Sequence, residues 1–227
     1  MKKLVYALLF GGLVFCQNIL AQTDCSKYYP VSDGARFEIT LYGNKMKKEG
    51  KVVYAVQNDG GDQVQYTMEM YDKKDNLLGD SSYGMQCEAD GVSIDFKSLM
   101  SSSMTSRFGN MDVDITGNNI YLPNNLNVGD VLPDAEMAIT VTGAPIAMTS
   151  TIKMSNRTVI GEETITTPAG EFPCIILSYT SEMKMGIKNM GYTKQWLSED
   201  VGMVKTEDYS KEGGKLRSIS LLTSYER

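Results

Sequence analysis

Three observations predict an all-β fold: a large antiparallel, strongly curved meander sheet or half-barrel with one short helix. Apolar and polar residues alternate through most of the chain, the period of strands with one buried and one wet face. Clusters of Gly, Pro, Asn and Asp interrupt that alternation and leave segments of roughly 7–12 residues, the spacing of short strands joined by turns. The segments follow one another as hairpins, which favours a meander over a fold with long crossovers.

Taken in order, Phe37, Ile39 and Leu41 alternate with Arg36, Glu38, Thr40 and Tyr42 to write a first strand, closed by a turn at Gly43-Asn44. The run from Val52 to Val56 ends at Asn58-Asp59-Gly60-Gly61, residue types that tolerate the positive φ of a hairpin turn. Val64, Tyr66, Met68 and Met70 then alternate with polar partners and should pair with the preceding strand. After a polar, turn-like stretch over residues 72–79 comes a strand over 81–88, a turn at Ala89-Asp90-Gly91, and Val92, Ile94 and Phe96 on the next strand. Met100, Met104 and Phe108 recur at helical spacing and predict the one short helix over residues 97–108.

Met111, Val113 and Ile115 restart the strand pattern, which turns at Gly117-Asn118-Asn119 and resumes over residues 120–122. The segment PNNLNVGDVLPDAE that follows is predicted to be irregular and is the place for a subdomain boundary, if there is one. Met137, Ile139 and Val141 form the next strand, a turn falls at Gly143-Ala144-Pro145, and Ile146, Met148, Ile152 and Met154 continue. The last third, residues 159–225, alternates between breaks at Pro168-Ala169-Gly170, Glu199-Asp200, Val201-Gly202 and Glu212-Gly213-Gly214. It reads as a β-meander and carries the single tryptophan, Trp196.

The N-terminus has the three parts of an export signal: Lys2 and Lys3, an apolar stretch over residues 4–15, and Ile19-Leu20-Ala21 before Gln22. Residues 1–21 are therefore expected to be removed, leaving 22–227 as one β domain in the periplasm or cell envelope of a Gram-negative bacterium. No cysteine stands where a lipid anchor needs it, and the apolar stretch is shorter than the ~20 residues of a membrane-spanning helix. The chain carries 22 Lys and Arg against 28 Asp and Glu, a net −6 that becomes more negative once Lys2 and Lys3 leave. Such a surface repels phosphate backbones and anionic bilayers, so nucleic acid is not an expected partner.

Histidine is absent from the sequence. That removes Ser-His-Asp and Cys-His catalysis, HExxH zinc sites and the usual base near neutral pH, so no catalytic residue, metal or cofactor is expected. Cys25, Cys87 and Cys174 remain beyond residue 21, and disulfides form in an exported chain. Cys25–Cys87 is the preferred pair because it would anchor the N-terminal tail. Cys87–Cys174 and no bridge stay open, since connectivity is not contained in spacing.

Three phrases of the second half, LPNNLNVGDVLPDAEM (residues 122–137), TPAGEFPC (167–174) and the Trp196 segment with VGMVK (201–205), resemble the TapB-like family of exported bacterial envelope proteins, related to a domain of unknown function. The resemblance is clearest over residues 111–227. It implies a single all-β domain, with a fold-level likeness to periplasmic half-barrel carriers of lipids and lipoproteins, and it transfers no catalytic residue. The same motifs have physical readings: Pro168 and Gly170 specify a corner, Gly202 another, and Trp196 anchors the core or its rim.

The feature that could carry function is methionine, 15 in all. Met68, Met70, Met137, Met148, Met154, Met183 and Met185 sit at alternating strand positions, so each set faces one side of its strand. A shared Met-rich face would suit an apolar, lipid-like ligand or a lipidated envelope protein, because methionine is flexible and polarizable. Trp196 is added as a candidate lining residue. The competing readings are a filled core that makes a structural or interaction module and, more weakly, thioether binding of Cu(I). Asp112 with Asp114, and Glu162 with Thr164, share faces but fit a wet surface without special chemistry.

Overall fold

The computed structural model describes residues 25–95, 112–143 and 148–227. The expected signal segment and the expected helix over residues 97–108 lie outside the described residues.

Within them the fold is all-β, one fourteen-strand antiparallel open sheet with no helix. The strands are β1 (Arg36–Gly43), β2 (Lys48–Gln57), β3 (Gln63–Asp72), β4 (Leu77–Cys87), β5 (Gly91–Ile94), β6 (Asp112–Gly117) and β7 (Ile120–Pro123), followed by β8 (Val131–Leu132), β9 (Ala135–Thr142), β10 (Met148–Thr167), β11 (Gly170–Met185), β12 (Ile187–Ser198), β13 (Gly202–Tyr209) and β14 (Leu216–Glu226).

Their spatial order is β6-β9-β10-β11-β12-β13-β14-β1-β2-β3-β4-β5-β7, with β8 attached to β10. Two meanders, β1–β5 and β9–β14, are thus joined by pairing of the first strand with the last, Phe37 opposite Tyr225 and Ile39 opposite Leu222. The free edges are β6 and β7, which only Asn118 and Asn119 separate in the chain. A sheet whose two ends are held two residues apart must curl back on itself, and this covalent link explains the strong curvature. Gly117 makes the corner possible: its φ is +146°, and a Cβ there would stand 2.2 Å from the carbonyl oxygen of Glu136. Asn118 completes the corner by accepting from the Glu136 amide at 2.7 Å and donating to the Asp134 carbonyl at 2.8 Å.

The segment predicted to be irregular, residues 123–136, is mostly so, yet it contains β8, and its ends fall in β7 and β9. Val131 and Leu132 find hydrogen-bonding partners at Thr158 and Arg157, beside a bulge in the long strand β10. The segment leads from β7, at one free edge of the sheet, to β9, the neighbour of the other free edge, β6.

Inside the curl the main core packs Phe37, Ile39, Val56, Val64, Tyr66, Tyr83, Met85, Val92, Leu122 and residues of β10–β14 such as Val159, Leu177, Leu197 and Leu222. Phe37 stacks on Tyr54 with ring centroids 4.6 Å apart, and Tyr66 on Tyr83 at 5.0 Å, offset aromatic contacts at neighbouring strand positions. A second cluster, Ala135, Met137, Ile139 and Val141, lies under β6, β9 and β10, and Ile120 packs against both.

The stretch from residue 25 to 35 closes one end of the curl. Cys25 is disulfide-bonded to Cys87 at the end of β4. The Lys27 amide donates to Asn124 at 2.8 Å, and its carbonyl accepts from the Asp200 amide between β12 and β13. Asn58 donates to the Val31 carbonyl at 2.7 Å, and the buried Tyr66 hydroxyl donates to the Pro30 carbonyl. Tyr28 is buried in the core, and the segment touches both meanders, so it acts as a plug stitched to each.

Candidate functional site

Strand alternation and register decide which of the sequence-selected residues meet. Across β9, β10, β11 and β12, Met137 is opposite Ile152, Ile152 opposite Met183, and Met183 opposite Asn189. The next row is Ala135, Met154, Ser181 and Gly191, and the row on the other side is Ile139, Ser150, Met185 and Ile187. Met148 stands opposite Val141. Following the same face through Gln195, Thr206, Ser220 and Leu41 leads to Val52 opposite Met70 and Tyr54 opposite Met68. All seven selected methionines therefore occupy the inner face of one curved sheet.

Burial along that face is graded. Met137 is 2% exposed, whereas Met183, Met148 and Met185 are 44%, 55% and 67% exposed. Met68, Met70 and Met154 are half-buried. The inner face is thus filled where the plug and the two clusters lie and uncovered toward the turn between β11 and β12. A hollow of about 180 Å³ opens there, lined by Ile152, Met183, Asn189, Met190 and Arg217.

Trp196 does not join this set. It alternates with Gln195 and Leu197 and so faces the other side of β12, opposite Ile176 and Lys205. There its ring nitrogen donates to Glu163 at 2.9 Å, and the Lys205 ammonium lies 4.4 Å from the ring centroid. Lys205 pairs with Glu207 at 2.7 Å, and Glu207 accepts from Tyr209 at 2.5 Å. Burial works to raise the Glu207 carboxyl, but the bonds from Lys205 and Tyr209 prevail and hold it below its ordinary range. Trp196 is an anchor pinned by a charged clasp.

The structure adds a polar constellation that strand-by-strand reading missed. Arg157 is 1% exposed and projects inward from a bulge where β10 places both Asn156 and Arg157 against Tyr179. Asn156 takes a positive φ of 54°, a conformation asparagine tolerates, and this turns Arg157 into the interior. Its two terminal nitrogens donate to the carbonyls of Pro133 at 2.8 Å and Tyr121 at 3.0 Å, while Nε has no partner. Burial lowers the guanidinium from its usual value, and Tyr29 and Tyr179 counter this. Burial pushes the Tyr29 hydroxyl up, and Arg157 and Gln195 pull it part of the way back. Tyr179 is pushed up to about 12, chiefly by burial and next by Asp208. These tyrosines keep their protons at neutral pH and serve as hydrogen-bonding groups rather than bases. The sequence signal was an asparagine followed by arginine in the middle of a long strand, where neither has a packing reason to be.

A second depression, an open groove of about 810 Å³, runs beside the plug and is lined by Tyr28, Glu162, Phe172, Ile175, Glu199 and Val201. Lys27 spans its rim to Glu199 at 2.9 Å. Cys174 is buried at its floor, its thiol donating to the Phe172 carbonyl at 3.4 Å. Asp112, Asp114, Glu162 and Thr164 are exposed, and among the described residues no cluster of acidic, cysteine or histidine groups could hold a metal ion.

A family model described as DUF3108-like matches residues 32–222. Two crystal structures share the architecture over 89% of this chain and the whole of their own length. One is a candidate exported protein with a YmcC-like fold from Bacteroides fragilis, 21% identical with a TM-score of 0.70. The other is a candidate lipoprotein from Parabacteroides distasonis, 24% identical with a TM-score of 0.70. At these identities the likeness establishes the fold. Among curated proteins none matches.

Proposed function

The chain belongs to the DUF3108-like family, and from that premise we propose a non-catalytic binding protein of the cell envelope that holds an apolar, lipid-like molecule or lipidated partner on the methionine face. The observation that carries this reading is the grading of one inner face from buried Met137 through half-buried Met154 to exposed Met183 and Met185. Thioethers adapt to ligands of varied shape, and an apolar surface left uncovered inside a curled sheet is where an apolar ligand gains most from leaving water. Export is supported by the three-part N-terminus and by the names of the two structural neighbours. The narrower TapB-like kinship rests on the motifs at residues 122–137, 167–174 and 201–205.

Native mass spectrometry after mild extraction, together with titration of a fluorescent fatty acid, tests the proposal. Retained lipid or saturable binding is expected, weakened about tenfold when Met68→Glu and Met154→Glu place charges on the face. A protein that carries no lipid and binds none of the probe would instead support a packed interaction module. That second reading is favoured by the plug of residues 25–35, which already fills one end of the interior.

A further inference from the structure

The turn at Gly186 joins β11 to β12 and projects apolar side chains into solvent. Ile187 is 86% exposed, Met185 67%, Met190 47% and Met183 44%, and Met148 on the adjoining strand is 55% exposed. At the tip β11 is paired on both sides, by β10 and β12, whereas β12 meets β13 only from Tyr192 onward, so residues 187–191 extend past the end of the β12–β13 pairing. The charge around it is opposite to that of the whole chain. Residues 183–198, MKMGIKNMGYTKQWLS, contain Lys184, Lys188 and Lys194 and no carboxylate, in a protein of net charge −6. Lys184 and Lys188 are cross-strand partners at the tip, and Arg217 reaches in to donate to the Met190 carbonyl at 3.3 Å. The nearby Glu182 is engaged by Lys188 at 2.6 Å.

We propose that this tip docks on the surface of an anionic phospholipid bilayer. Methionine and isoleucine side chains at a protruding turn can enter the boundary between headgroups and acyl chains while flanking lysines remain among the lipid phosphates. The remainder of the protein, being acidic, is repelled from the same surface, so docking is confined to the tip and sets the molecule's orientation. A second copy of the chain is the poorer occupant, because two such tips would bring like charges together. Net charge alone argued against anionic membranes, and the local reversal at the β11–β12 turn overrides it. The proposal stands apart from the apolar-ligand reading: vesicle binding without fatty-acid binding upholds this one and removes that one.

The test is co-sedimentation of the purified protein with phosphatidylcholine vesicles made with and without phosphatidylglycerol. Binding is expected only with phosphatidylglycerol present, weakening as salt is added. Met185→Ser with Ile187→Ser, and separately Lys184→Glu with Lys188→Glu, should each lower the bound fraction about tenfold at fixed lipid. All four positions lie on the exposed hairpin tip, and unchanged circular dichroism and urea midpoints will show that the fold persists. Failure of the wild-type protein to bind phosphatidylglycerol vesicles, or binding that survives both pairs of substitutions, overturns the proposal. So does sedimentation showing a dimer that Ile187→Ser dissociates.

Discussion

The Arg157 guanidinium donates to the Tyr121 carbonyl at 3.0 Å, linking β10 near one end of the open sheet to β7 at the other. The same side chain holds Pro133 between β8 and β9. One buried cation therefore ties together backbone from both sides of the gap that β6 and β7 leave unpaired. Arg157→Ala removes both donors and leaves two carbonyls without them, at an expected cost of about 3 kcal/mol in urea unfolding. A change below about 0.5 kcal/mol, the size expected of a surface substitution, would show that the link contributes nothing.

The Cys25–Cys87 bond closes a loop with a sequence separation of 62 residues. Constraining the unfolded chain to that extent is worth about 4 kcal/mol on the loop-entropy estimate. Cys25→Ser should lower the urea midpoint accordingly and loosen the plug, with hydrogen exchange accelerating first at the amides of residues 25–35. An unchanged midpoint would mean that the remaining stitches hold the segment alone.

Cys174 is the free thiol among the described residues, and burial first and Glu163 second push it up to about 11. It should resist thiol reagents at neutral pH in the folded protein and react in denaturant. Rapid labelling of the native state would contradict the packing around the groove floor.

Gly202 has a φ of +83°, and a Cβ there would meet Tyr29 Cδ1 at 3.2 Å and Pro30 Cδ at 3.5 Å. Gly202→Ala combines left-handed backbone strain with a push against the plug, and a loss of about 1–2 kcal/mol is expected. Differential scanning calorimetry will read it as a lowered Tm.

Stability should fall at both extremes of pH. Tyr54 is pushed up to about 12 by burial and the nearby Tyr29, and Tyr179 likewise by burial and Asp208. Tyr209 reaches about 12 through its bond to Glu207. Each lies above its ordinary value near 10, so its contribution is complete below that pH and is lost as pH rises through about 12. Phenolate absorbance should appear in a cooperative step that coincides with loss of circular dichroism. At the acid end Glu38 and Glu207 are both lowered: burial acts to raise each, but Lys51 and Thr223 at Glu38, and Lys205 and Tyr209 at Glu207, outweigh it. Their contribution is present above the ordinary carboxylate range and disappears as pH falls below it. Gradual titration of all tyrosines near 10 without unfolding would contradict the buried positions of Tyr54 and Tyr179.

The hairpins were legible because their information is local. Asn58 to Gly61, Pro168 to Gly170 and Val201-Gly202 carry turn chemistry, and alternation between them gives strand faces. That the methionines share a face followed from alternation only within each strand; their union across strands required the register. Three things were hidden for the same reason. The pairing of β1 with β14 is encoded in complementarity between residues such as Ile39 and Leu222, far apart in sequence. Residues 25–35 lack periodicity, so nothing marked Tyr28 and Tyr29 as interior. Arg157 is turned inward by the bulge at Asn156, and no alternation of apolar and polar residues announces a bulge.

The pairing of β1 with β14 also sets an order of events in time. Whether it leaves a ribosome or a membrane channel, the chain appears N-terminus first, and β1 then has β2 on one side and nothing on the other. Its second neighbour, β14, is the last of the described strands to arrive. The first meander must therefore remain an unfinished sheet with an open edge until β14 has emerged, the condition in which strands recruit wrong partners. The polar and charged side chains along β1, Arg36, Glu38 and Thr40, suit that interval, keeping the waiting edge soluble until its partner emerges.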